Sequence, residues 1–104
     1  MKPEFMEKFE KFFKGCDEIS GVAHERNGFT FPRDKFEYKV GRRYIKVIQG
    51  YSVHSFVDMK EGSGYGNVLK AAGFNKPAKG ARGNIFDEKN GLGRMGEYGP
   101  AYNR

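Results

Sequence analysis

Apolar and polar positions recur along this chain with two different periods, and the change of period divides it. Between residues 3 and 14, Phe5, Phe9 and Phe12 recur at three- and four-residue spacing, with Met6 and Phe13 beside them and charged residues between. That is the period of an amphipathic helix. Pro3 suits a first turn, where its missing N–H costs nothing. Glu7 with Lys11, and Glu10 with Lys14, are acid-before-base pairs four apart that support the same helix. Gly15 is a candidate left-handed cap, but Ile19 and Val22 continue the apolar face, so helix is expected to about His24. A turn signal follows at Arg26, Asn27 and Gly28.

From Phe36 the period becomes two. Phe36, Tyr38 and Val40 alternate with Glu37 and Lys39, which predicts a half-buried strand. Gly41 and Arg42 make a turn, and Tyr44–Gln49 is the next predicted strand. Residues 51–59 form a third, with Val53, Ser55, Val57 and Met59 on one face and His54, Phe56 and Asp58 on the other. The composition of residues 60–66, KEGSGYG, is that of a loop, and residues 67–72 return as a fourth strand. Short connections imply antiparallel neighbours. Residues 87–104, with Gly91, Gly93, Gly96, Gly99 and Pro100, are expected to be mostly irregular.

The pattern therefore predicts an α+β fold: an antiparallel meander of three to four strands, the N-terminal amphipathic helix across one face, and an irregular Gly-rich C-terminal segment. The helix stripe and the sheet face each need a partner, and each is the other's large candidate. Phe9 is expected among the most buried residues. A chain of 104 residues is long enough for one core but not two, so residues 1–104 are expected to form a single domain.

Composition adds three constraints. Ten Phe and six Tyr, with no Trp, supply large rings to a small core. Cys16 stands alone, so neither an intrachain disulfide nor a multi-cysteine metal site can be built. No run approaches the roughly 18–20 apolar residues needed to span a bilayer, and no apolar signal core opens the chain. A soluble protein without a membrane partner, acting where it is made, is the expectation.

Enzyme chemistry finds little to work with. Cys16, His24 and His54 are too scattered for a zinc site, and both histidines read as surface residues. Cys16 precedes Asp17 and Glu18, which oppose thiolate formation, so a partly buried structural thiol is expected. Asp34 followed by Glu37-Tyr38-Lys39 superficially resembles a metal-dependent nuclease pattern. The two carboxylates are too close in sequence to lie on paired strands of one hairpin and converge on a cation. Neither a P-loop nor a dinucleotide-binding glycine pattern occurs. The expectation is a non-enzyme without cofactor or metal.

The charge balance points elsewhere. A net charge of +6 favours anionic partners. Residues 62–86 contain no acid, yet hold Lys70, Lys76, Lys79 and Arg82, with Gly80 and Gly83 beside the last two. A Gly-spaced basic loop can present N–H groups and cations to an anion. Arg42 and Arg43 add charge at a turn, completing the candidate nucleic-acid-binding set. Rings neighbour several cations: Tyr44 beside Arg43, Phe74 near Lys76, Tyr102 near Arg104. Such pairs serve single-strand binders, although the rings can equally cover the sheet. Arg82 has its own alternative, a structural tie to Asp87, Glu88 or Glu97, for which Arg is well suited.

Four segments also resemble a family of small uncharacterised proteins encoded by tailed bacteriophages: SVHSFVD at residues 52–58, NVLKAA at 67–72, PAKGARGNIFD at 77–87, and the ending NGLGRMGEYGPAYNR. YIKVI at residues 44–48 adds to the likeness, which covers roughly residue 38 onward. The resemblance implies a phage origin and action in the host bacterial cytoplasm, and brings no catalytic residue. Together with the charge it leads to two expectations. The first is a basic phage accessory protein that binds DNA or RNA without sequence preference. The alternative is a protein-binding module that modulates a bacterial host protein.

Overall fold

The computed structural model describes residues 2–28, 32–96 and 99–100. Its α+β class is the one the pattern predicts: an N-terminal helix and an antiparallel sheet.

Helix α1 spans Pro3–Arg26, with Pro3 in its first turn. Phe5, Phe9, Phe12, Cys16 and Ser20 are its buried positions, one stripe at spacings of four, three, four and four. The helix continues past Gly15 as expected and ends near the expected His24. Of the two residues expected to continue its apolar face, Ile19 is half-buried, while Val22 is corrected to the surface. The 3.6-residue period carries the stripe to Ser20 and leaves Val22 55% exposed. Ser20 is usable there because the Gln49 amide donates to its hydroxyl at 3.0 Å. Gly15 does not end the helix. A Cβ on Gly15 would lie 2.3 Å from Leu92 Cδ1, so the glycine opens a notch in which Leu92 packs.

The sheet begins with β1 (Phe36–Val40), β2 (Tyr44–Gln49) and β3 (Ser52–Asp58), paired antiparallel in sequence order. The fourth predicted strand is shorter than its apolar run. β4 is Asn67–Leu69, whereas β5 (Ala71–Gly73) leaves the sheet and pairs with β6 (Lys76–Pro77) as a separate hairpin. The vacated edge of β4 is taken by β7 (Gly83–Asn84), giving a five-stranded order β1-β2-β3-β4-β7. A two-residue strand has no alternation to read, so the fifth strand left no pattern. In the C-terminal segment β8 (Met95–Gly96) pairs with β9 (Gly99–Pro100).

Helix and sheet meet through rings. Phe9 is 0% exposed; its ring stands edge-on to Tyr38 at 4.9 Å, and Phe13 meets the same Tyr38 at 5.1 Å. Phe5 contacts Tyr65 at 5.1 Å, and Tyr65 stacks on Phe86. Ile45, Val47, Val57, Val68 and Ile85 complete the core from the sheet side.

The register slips between Val47 and Ile48, where β3 carries one extra residue, His54. A bulge of this kind breaks strict alternation. His54 consequently does not share the face of Phe56 and Asp58: its ring lies 5.0 Å from Phe36, itself packed on Phe13 of the helix. The expectation of a surface histidine is corrected, since His54 is 5% exposed. Burial, and then the Lys70 charge, push its pKa down to about 4. Cys16 is fully buried, and burial first, Asp17 second, raise its pKa.

The chain between β7 and β8 is held by side chains. The Asp87 carboxylate accepts from the backbone N–H groups of Asn84, Lys89 and Gly91. Asn90 donates from Nδ2 to the carbonyls of Ile85 and, across the fold, Lys8. Gly91 has a φ of 77° and comes so close to Val68 that a Cβ would sit 2.8 Å from it.

Candidate functional site

The six cations singled out in the sequence separate into two groups. Arg82 is 6% exposed. Its guanidinium donates to the carbonyl oxygens of Lys79 and Gly80 at 2.9 and 2.6 Å, while its backbone N–H donates to Val68. An anion-binding nest needs converging N–H groups. Here carbonyls converge, and the loop's own guanidinium fills them. Lys70 is half-buried and donates from Nζ to the Pro100 carbonyl at 3.0 Å. Arg43 makes two hydrogen bonds to the buried Asp58 carboxylate, at 3.3 and 3.1 Å, and lies 5.1 Å from the Tyr44 ring centroid. These three cations hold the fold together. Arg42, Lys76 and Lys79 are exposed. The Tyr102 and Arg104 pair lies outside the described residues.

The sheet face turned away from α1 brings further cations into play. Ile45 and Val47 point into the helix core, so Lys46 between them points the other way. Across β1 its Cα partner is Lys39, and across β3 it is Phe56. Two lysines therefore stand opposite one another on this face. The β5–β6 hairpin leans over the same face, with Phe74 and Asn75 at its tip. Lys46 Nζ lies 4.1 Å from the Phe74 ring centroid and donates to the Asn75 side-chain oxygen. Phe74 remains 57% exposed, and exposed Lys76 follows it in β6. Tyr44, two residues along β2 from Lys46 and so about 7 Å away, meets the Phe56 ring at 5.9 Å.

Lys39 and Lys46 escaped the sequence reading, although their signal was present. Both occupy polar positions of alternating strands, and counting outward from the Gly41 turn pairs them. Lys76 was found because it sits in the acid-free run, which marks the hairpin but not the strand it overhangs.

The acidic residues do not assemble comparably. Among the described residues, no group of three or more His, Cys, Asp or Glu side chains is placed to hold a metal ion. Nor is any helix long and apolar enough to cross a membrane.

The molecule is thus a basic α+β protein whose sheet carries a core face under the helix and a second face bearing lysines and rings. Residues 5–98 match the family of unknown function DUF7717, and the chain belongs to that family. Neither the curated proteins nor the solved structures contain a match.

Proposed function

We propose that this protein binds nucleic acid through phosphate contacts made by the sheet face away from α1 and the adjoining hairpin. The observation that carries the reading is the Lys39–Lys46 pair. Like charges directly opposite on neighbouring strands are destabilising, and an anion between them turns that repulsion into attraction. Exposed Lys76 on the hairpin extends the positive surface, whereas Arg42, at the β1–β2 turn, lies toward the start of α1. Lys46 keeps donors for a phosphate, since an ammonium has three and Asn75 takes one. The role in this reading is non-enzymatic and sequence-tolerant, and its setting is an infected bacterial cytoplasm, the expectation that the sequence resemblance to phage proteins supports.

The test is a salt titration of binding to single- and double-stranded DNA and RNA. Log affinity should fall linearly with log salt concentration, with a slope set by the number of phosphates engaged. Absence of binding to all four polymers at low salt would sink the reading.

A second reading, docking on an acidic host protein, draws on a different surface. Half-exposed Val40 lies with Met59 and Tyr65 in an apolar groove between the start of α1 and the β1–β2 turn, flanked by Arg42 and by Lys2, which is paired with Glu61 at 2.7 Å. A pull-down from bacterial lysate with nuclease treatment separates the two. A partner that survives nuclease favours the groove, and loss of every partner favours nucleic acid.

A further inference from the structure

We infer that the ligand of this face is single-stranded nucleic acid, with an unpaired base stacked on Phe74. The inference rests on the phosphate-binding reading above and specifies its substrate class. Phe74 and Asn75 are the two residues between β5 and β6. Such tips ordinarily take Gly, Asn, Asp or Ser, and Asn75 conforms. Phe74 does not, and it leaves 57% of its surface in water while the core is filled by other rings. One side of the Phe74 ring is taken by the Lys46 ammonium; the exposed remainder is an apolar surface bordered by cations.

That combination discriminates between nucleic acids by geometry. In a duplex each base is already stacked on both sides and only the backbone is presented. A single strand offers the faces of its bases together with its phosphates. With Lys46 against the ring, Lys76 next to the tip and Lys39 across the strand pair, a nucleotide stacked on Phe74 has cations near its own phosphates. Every base has a π-face, so the contact tolerates any sequence. The hairpin holds the ring in place beforehand: Lys46 grips both tip residues from β2, so ordering the tip adds little to the cost of binding.

The experiment measures affinity by fluorescence anisotropy for a short labelled oligothymidylate, an abasic oligomer of equal length and a duplex of equal length. Wild type, Phe74→Ala and Phe74→Tyr are compared. Phe74→Ala should weaken the oligothymidylate about 5- to 150-fold and change the abasic oligomer and the duplex less than about twofold, with the salt slope unaltered. Phe74→Tyr should retain wild-type affinity. Equal losses on all three ligands, or no loss on any, would overturn the stacking contact while leaving phosphate binding intact. If none of the ligands binds wild type at low salt, the phosphate-binding reading falls, and this inference falls with it.

Discussion

Lys39 stands directly opposite Lys46 across the β1–β2 pair, an arrangement that costs stability in the free protein. Lys39→Thr removes the repulsion and places a β-branched residue in a strand. The variant should be more stable by about 0.2–1 kcal/mol. It should also bind nucleic acid more weakly, with a salt slope flatter by about one. Thermal melts and salt titrations on the same preparation check both. A variant that loses stability, or that binds as well as wild type, contradicts the role given to this pair.

Arg82 makes the opposite forecast. Its removal leaves the Lys79 and Gly80 carbonyls without the guanidinium they now share. Arg82→Ala should cost about 1–3 kcal/mol in urea unfolding and leave the binding of the folded fraction unchanged. Lys79→Ala, at an exposed neighbouring position, should leave stability within about 0.5 kcal/mol of wild type.

The helix–sheet contact is tested at Phe9, which is 0% exposed and lies against Phe12, Phe13 and Tyr38. Phe9→Ala should destabilise by about 3–5 kcal/mol, whereas Phe9→Leu, which keeps most of the apolar volume, should cost far less. Denaturant midpoints compared at constant m-value give the answer.

His54 should make stability depend on pH. Burial and Lys70 hold its folded-state pKa down to about 4, below the unfolded value of about 6.5. Between these values the unfolded chain binds a proton that the folded chain refuses, so stability falls as pH drops through that window. The loss amounts to about 3 kcal/mol and levels off below the folded pKa. His54→Gln should flatten this part of the profile. An unchanged pH dependence would assign the effect to other groups.

Long periodic segments were legible and short irregular ones were not. The Phe5, Phe9 and Phe12 stripe announced the helix and its buried face. Alternation fixed β1 and β2 at their observed ends, Phe36–Val40 and Tyr44–Gln49. Alternation failed at His54, because a bulge adds one residue without changing composition. It failed again at Lys70, where an apolar run crosses from the sheet into a hairpin. At the candidate site, charge content pointed to Lys76 but also to Arg82 and Lys70. Sequence cannot tell a cation facing solvent from one facing a carbonyl, since that depends on partners such as Pro100, thirty residues away.

The hydrogen bond from Asn90 to the Lys8 carbonyl joins residues 82 positions apart, and the Gly15 notch is filled by Leu92. The helix is thus completed by residues made 82 positions after those they clasp. Until then the Phe stripe lacks its full cover, and that delay favours collapsed intermediates with exposed rings. Chains shortened to end before Asn90 would keep every residue of α1, β1, β2, β3 and β4 and still lack the clasp that closes the helix over them. Aggregation of such truncated chains, rather than loss of any strand of the five-stranded sheet, is the expected mark of that late closure.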